Sequence, residues 1–242
     1  MNKRIPLSAA SIVPLLAGSC VGDPAVSVPE NARPNIIFIF SDDLGIGDLS
    51  CYGATRVATP HIDRLAAQGQ RFTNAYATSA TSTPSRFGLL TGMYPWRLPN
   101  TQIAPGNSEL IIDPECHTLA DAMHDAGYVT GAVGKWHLGL GPVGGTDFNV
   151  EIRPDARDIG FDYEYLIPAT VDRVPCVFVE NGRVVGLDPS DPITVNYDHK
   201  VGDWPTGSEN PELLKLRPSH GHDNTICLLY TSPSPRDSTS SR

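Results

Sequence analysis

The sequence predicts a doubly wound α/β fold, in which a mostly parallel sheet carries helices on both faces. Two observations indicate this class. A continuous apolar, β-branched run over Asn35–Phe40, bounded by Pro34 and Ser41, is typical of a strand buried on both faces of a parallel sheet. After this run, helix-like and strand-like segments alternate along the chain, which is the pattern of such layered folds.

Three helices are predicted, each with a start signal and a following glycine. The first covers residues 59–69 and begins with Thr-Pro, because proline suits the first helical position. The second runs from about Pro84 to Thr91. The third covers residues 118–127 and begins with a Thr-x-x-Asp pattern that resembles a capping box.

Two further strands complete the predicted elements. Arg71–Tyr76 is interpreted as a returning strand, and Tyr128–Val133 as another buried strand. From Gly141 to about Arg217 the chain is rich in glycine and proline, with short apolar runs such as Val177–Val179. We expect this segment to be an irregular insertion that carries small strands or loops.

The first 20 residues have the composition of an export signal. A basic start, Met1–Arg4, precedes an apolar run, Ile5–Gly18, that is too short to span a membrane as a mature helix. Small residues before Cys20 resemble a bacterial lipoprotein signal, in which Cys20 becomes the lipidated first residue; plain signal cleavage is the alternative. Residues 21–32 are then a linker, and we expect a periplasmic or outer-membrane, cell-surface location.

The last 16 residues, 227–242, change character abruptly. Their reverse translation resembles a transposase-type sequencing-library adaptor, so we expect the native sequence to stop near Ile226. The alternative is a genuine low-complexity Ser/Pro tail. With the adaptor interpretation, residues 33–226 form a truncated catalytic domain, and the fragment by itself is expected to be inactive.

The composition limits the classes of partner. The net charge is −9 and only 19% of residues are charged, without a basic block that could neutralise phosphates. Nucleic acid is therefore excluded as a partner.

Cys51, Cys116 and Cys176 lack the spacing of a metal site and are interpreted as ordinary thiols.

Asp42 and Asp43 directly follow the first predicted strand. The carboxyl ends of parallel strands are where open α/β sheets place their ligands, and adjacent carboxylates repel unless a cation compensates. A hard divalent cation with oxygen ligands, such as Ca²⁺, fits this pair. The alternative is a simple turn, since Ser-Asp-Asp followed by Gly45 is also loop chemistry.

Ser82-Thr83-Pro84-Ser85-Arg86 indicates an anion site at a helix start. Pro84 suits a first helical turn, so Ser82 lies at or just before the N-terminus, where free N–H groups favour an oxyanion. Arg86 is four residues further on and shares a helix face with Ser82. The alternative is an ordinary serine N-cap with a surface arginine.

Three motifs together resemble the type I sulfatase family, whose members depend on formylglycine. The run from Ser82 to Gly92 resembles the family signature, in which a Cys or Ser at the first position is oxidised to formylglycine. Pro34–Asp43 resembles an upstream family motif, and Gly134–Gly139 resembles a downstream one. The resemblance implies the alkaline-phosphatase-like (sulfatase) fold and a sulfuric ester hydrolase.

The resemblance assigns a role to each matching residue. Asp42, Asp43 and Ser82 match metal ligands, with Ca²⁺ expected and Mg²⁺ as the alternative. The matching catalytic residues are Ser82, Arg86, Lys135 and His137. One hydroxyl of the hydrated aldehyde at position 82 attacks sulfur, and collapse of the other, with His137 as base, then expels sulfate.

The resemblance also implies partners. A serine at position 82 implies a radical-SAM maturase of anaerobic bacteria, because the aerobic maturase needs cysteine. The expected substrates are sulfated glycans or aryl sulfates, and Val195–Lys200 weakly resembles glycan sulfatases acting on galactose-type 6-sulfates. Two alternatives remain open: a phosphatase or phosphonate monoester hydrolase of the same superfamily, and a surface lipoprotein that only binds glycan. His220–Asn224 is interpreted as a loop or linker and not as a pair of metal ligands. The remaining metal ligands are expected beyond Ile226.

Overall fold

The computed structural model describes residues 33–171, 173–197 and 201–203. The chain divides into two compact units, Met1–Leu44 and Gly45–Arg242. The predicted signal, the linker, the adaptor-like tail and His220–Asn224 lie outside the described residues. Within the described part of the chain, the helices are all too short or too polar to cross a membrane.

Three α-helices confirm the three that the sequence predicts. They are α1 (Pro60–Gln68), α2 (Ser82–Thr91) and α3 (Leu119–Asp125). The predicted capping box starts α3: the Thr118 hydroxyl accepts N–H groups of the first turn, and the Asp121 carboxylate accepts the Thr118 N–H at 2.8 Å.

Helix α2 begins two residues earlier than predicted. Its N-cap is Thr81, whose side chain makes no capping hydrogen bond, and Ser82 is the first helical residue. Gly92, with φ +66°, ends the helix in the left-handed conformation that glycine adopts without strain. Ser82 is therefore not the N-cap, and its hydroxyl is free for contacts outside the helix backbone.

The described sheet has four strands in the order β1 (Gly131–Lys135), β2 (Tyr163–Ile167), β3 (Val179–Glu180) and β4 (Arg183–Val184). β1 and β2 are parallel, whereas the β2–β3 and β3–β4 pairs are antiparallel. Strands β2 to β4 lie in the segment predicted as an insertion with small strands. β2 pairs directly with β1, so this segment is also part of the main sheet.

Three predicted strands differ from the structure. Asn35–Phe40 and residues 71–76 form no strand, and Ile37 is 85% exposed. An apolar run becomes a strand only when a neighbour supplies the backbone ladder, and none of the four described strands pairs with either segment. The strand predicted at Tyr128–Val133 begins only at Gly131, and Val133 is 75% exposed, so the burial predicted for this strand is wrong for the described sheet.

The hydrophobic core lies around the chain that follows β1. Trp136, Leu138 and Leu140 are buried there and belong to one cluster with Phe87 of α2 and Leu166 of β2. The Trp136 indole N–H donates to the Gly139 carbonyl at 2.7 Å, which folds this segment back on itself. The core therefore anchors both α2 and the end of β1. Among the described residues, Cys51 and Cys116 form no disulfide bond.

Candidate active site

Ser82 lies at the start of α2 with its hydroxyl oxygen in contact with Arg86. The Arg86 Nε donates to Ser82 Oγ at 3.1 Å, as their four-residue spacing on one helix face predicts. The same guanidinium donates through Nη1 to the carbonyl of Lys135 at 2.8 Å. Arg86 thus links the helix start to the last residue of β1.

Thr83 ties the helix start to the site from the buried side. Its side chain is fully buried, and Oγ1 donates to the His137 carbonyl at 2.9 Å while accepting the Ala104 N–H at 3.1 Å. One hydroxyl therefore satisfies backbone groups of two other segments. Sequence reasoning did not single out Thr83, because nothing local to the pentapeptide indicates partners 21 and 54 residues away.

Lys135 and His137 come directly at the end of β1. The backbone of His137 donates to the Pro168 carbonyl at 2.9 Å, which continues the pairing beyond β2. His137 has φ +58°, a left-handed conformation that costs a non-glycine residue about 1–2 kcal/mol. The surrounding packing maintains this conformation, since the His137 side chain is only 2% exposed.

The His137 ring makes contacts through both nitrogens. Nδ1 lies 2.9 Å from Ser82 Oγ. Nε2 lies 3.0 Å from the Ala104 carbonyl oxygen and 2.8 Å from Nη1 of Arg173. The structure therefore brings Ser82, Arg86 and His137 together and holds Lys135 through its carbonyl. Arg173 was missed by sequence reasoning.

Burial and charge keep the His137 ring neutral. Burial lowers the pKa of His137 to about 4, and the positive charges of Arg173, Lys135 and Arg86 act in the same direction. At neutral pH the ring therefore has one protonated and one free nitrogen. Cations on three segments thus act on the His137 ring, and a positive environment of this kind favours an anion beside it.

Asp42 and Asp43 belong to the other unit, Met1–Leu44, where both are exposed. Asp43 has φ +53°, which aspartate tolerates better than most residues. In the described ranges, no three His, Cys, Asp or Glu side chains are grouped so as to hold a metal ion. The two adjacent carboxylates are hard oxygen donors, the type that Ca²⁺ prefers, so their chemistry fits the part predicted for them in a metal site.

Comparison with known proteins identifies the fold and the family. The sheet and the helices that flank it place the chain in the alkaline-phosphatase-like fold class, as predicted. A family model described as Sulfatase matches residues 34–165, more than half of the chain, and the chain belongs to that family.

Individual relatives are similar over part of their length. An N-acetylgalactosamine-6-O-sulfatase of Bacteroides thetaiotaomicron is 80% identical over 194 residues, which cover 80% of this chain and 38% of the relative. Human arylsulfatase A is 42% identical over 146 residues, or 59% of this chain and 27% of that protein. A solved structure concerning the metabolism of multiple glycosaminoglycans by Bacteroides thetaiotaomicron has a TM-score of 0.76 and 80% identity, covering 80% of this chain and 40% of the other.

Proposed function

We propose that the protein containing this chain hydrolyses sulfate esters through residue 82, after Ser82 has been oxidised to formylglycine. The observation that carries the proposal is the position of Ser82 Oγ at the start of α2, between Arg86 Nε at 3.1 Å and His137 Nδ1 at 2.9 Å. Membership of the sulfatase family and relatives named as sulfatases support it.

Each of the four site residues has a distinct task. The hydrated aldehyde at position 82 supplies the nucleophilic hydroxyl and a second hydroxyl as the exit route. Arg86 holds the residue-82 oxygen, and Lys135 adds positive charge for the sulfuryl oxygens. The His137 ring exchanges a proton with the residue-82 oxygen, which it already contacts.

Asp42, Asp43 and the residue-82 oxygen are proposed to hold a divalent cation, Ca²⁺ or alternatively Mg²⁺. When bound there, such an ion would supply positive charge for the sulfuryl oxygens. The support is that the two adjacent carboxylates supply oxygen atoms, and a hard cation such as Ca²⁺ requires oxygen ligands.

The proposed substrates are sulfated glycans, in particular a 6-sulfate on a galactose-type sugar. The name of the 80% identical Bacteroides thetaiotaomicron relative supports this substrate class. The weak resemblance of Val195–Lys200 indicates the same class. A radical-SAM maturase, an exported or cell-surface location and a lipid anchor at Cys20 remain parts of the proposal that follow from the sequence.

The test uses the complete gene product, produced with and without a radical-SAM maturase, and measures sulfate release from galactosamine 6-sulfate and 4-sulfate disaccharides. We expect release from the 6-sulfate only after co-expression, together with an aldehyde mass at residue 82. Ser82→Ala should abolish release, whereas Thr81→Ala, at the adjacent N-cap without a capping bond, should retain it.

Two other outcomes would reject the proposal. Phosphate release from an aryl phosphate without sulfate release would favour the phosphatase alternative. Glycan binding by the matured protein without any hydrolysis would favour the lipoprotein that only binds glycan.

A further inference from the structure

The neighbours of the His137 ring determine which of its nitrogens carries the proton. Nδ1 faces Ser82 Oγ at 2.9 Å. Nε2 faces the Ala104 carbonyl at 3.0 Å and the Arg173 Nη1 at 2.8 Å. The first of these Nε2 neighbours is an acceptor and the second is a charged donor, so Nε2 cannot satisfy both.

One neutral tautomer places two donors against each other. If the proton is on Nε2, the ring donates to Ala104, but its N–H then also faces a guanidinium N–H at 2.8 Å. An arginine has no acceptor atom and does not lose its proton in proteins. This arrangement leaves a buried donor–donor contact beside a positive charge.

The other neutral tautomer gives every donor on the Nε2 side of the ring an acceptor. With the proton on Nδ1, the ring donates to Ser82 Oγ, and the Nε2 lone pair accepts from Arg173 Nη1. The second Nη1 hydrogen of Arg173 donates to the Ala104 carbonyl at 3.1 Å, so that carbonyl does not need the histidine. Ser82 Oγ then receives two donors, His137 Nδ1 and Arg86 Nε.

The two segments that face Nε2 are tied together by Tyr197. Its hydroxyl donates to the Val174 carbonyl at 2.5 Å and accepts the Gly106 N–H at 2.7 Å. Gly106 permits this approach, because a Cβ there would lie 2.0 Å from the Val174 carbonyl oxygen. Ala104 and Arg173 are therefore held in register with each other by a contact outside the Ser82 site.

We propose that Arg173 is a positioning residue that fixes His137 in the Nδ1–H tautomer, with the imidazole donating to the oxygen of residue 82. In this state His137 stabilises negative charge on that oxygen.

The proposal deepens the proposed function but is tested without turnover. The complete gene product is made without maturase, so that residue 82 stays serine, and with ¹⁵N-labelled histidine. Nitrogen–hydrogen correlations then identify the protonated ring nitrogen of His137, with the resonance assigned by its loss in His137→Gln. We expect protonated Nδ1 in the wild type and protonated Nε2 in Arg173→Met.

Two controls separate tautomer control from a general structural effect. Arg183→Met removes an arginine of β4 that pairs with Glu151 and should leave the His137 pattern unchanged. Arg173→Lys keeps a cationic donor and should keep the proton on Nδ1. A wild-type ring protonated on Nε2, or an unchanged tautomer in folded Arg173→Met, would overturn the proposal; should that variant not fold, the wild-type and Arg173→Lys spectra decide.

Discussion

His137 Nδ1 lies 2.9 Å from Ser82 Oγ, although 55 positions separate the two residues in the sequence. The contact joins the first residue of α2 to the segment that follows β1. Thr83 supports it by bonding the His137 carbonyl, and Arg86 supports it by bonding the Lys135 carbonyl. The geometry of this pair therefore depends on the junction between one helix and one strand.

Arg86→Lys should lower kcat/KM for sulfate release by about 10²-fold, the typical effect of losing one preorganised donor in an active site. A lysine ammonium cannot contact both Ser82 Oγ and the Lys135 carbonyl with the planar geometry of arginine. Steady-state kinetics of the matured complete gene product provide the measurement. Arg183→Lys on β4 is the matched control, and a similar loss in both variants would contradict the prediction.

Thr83→Val should reduce the unfolding free energy by at least about 2 kcal/mol, because it leaves buried backbone groups of His137 and Ala104 without their partner. Valine has nearly the same shape, so the effect isolates the hydroxyl. Chemical denaturation of the complete gene product measures the loss. Thr83→Ser retains the hydroxyl and should remain close to wild type; equal losses in the two variants would point to packing instead.

The buried Glu164 should make stability depend on pH. Burial, with the negative charge of Asp155, raises the pKa of Glu164 from 4.5 to about 7. The folded state therefore binds more protons than the unfolded state between these values. The contribution of Glu164 to the unfolding free energy is complete below pH 4.5 and is lost as the pH rises through 7. It amounts to at most about 3 kcal/mol.

Glu164→Gln removes this titration and can be used to measure it. The two oxygens of Glu164 accept the N–H groups of Ala156 and Gly182, whereas glutamine has one acceptor oxygen and an NH₂ group that faces the other N–H, so the variant is less stable than wild type. Its deficit relative to wild type should shrink between pH 5 and pH 8 in denaturation experiments. A deficit that stays constant over this range would refute the shifted pKa; Glu180→Gln on β3 controls for the loss of one charge.

Gly139→Ala should destabilise the protein more strongly than Gly92→Ala. Both glycines have positive φ, +70° and +66°, so both substitutions incur about 1–2 kcal/mol of backbone strain. At Gly139 a Cβ would also lie 1.7 Å from the Glu109 carbonyl oxygen, whereas at Gly92 it meets nothing within 4 Å. Thermal unfolding of both variants tests the difference, and equal shifts would show that the neighbouring backbone moves at little cost.

Local signals in the sequence were sufficient for the helices and for much of the site. The proline and glycine around α2 place Ser82 and Arg86 on one face, and the strand pattern before Lys135 places His137 just beyond a strand end. These features depend only on residues within one helical turn or one strand, so the sequence alone is enough to predict them.

Features that depend on distant partners could not be predicted in the same way. Asn35–Phe40 has the composition of a strand, but pairing requires a neighbouring ladder that the run itself does not encode. Arg173 lies in the Gly/Pro-rich segment and belongs to no recognisable motif, and its contact with His137 arises from the folding of a segment 36 residues away. Thr83 was missed for the same reason.

The burial of the residues around Ser82 has a consequence for the timing of its modification. Thr83, Pro84 and Ser85 are all buried in the folded chain, with α2 packed through Phe87 into the core. An enzyme that recognises Ser82 by these neighbours can reach them only before the helix docks. The proposed oxidation of Ser82 would therefore have to precede folding, and a chain that folds first would keep an unmodified serine.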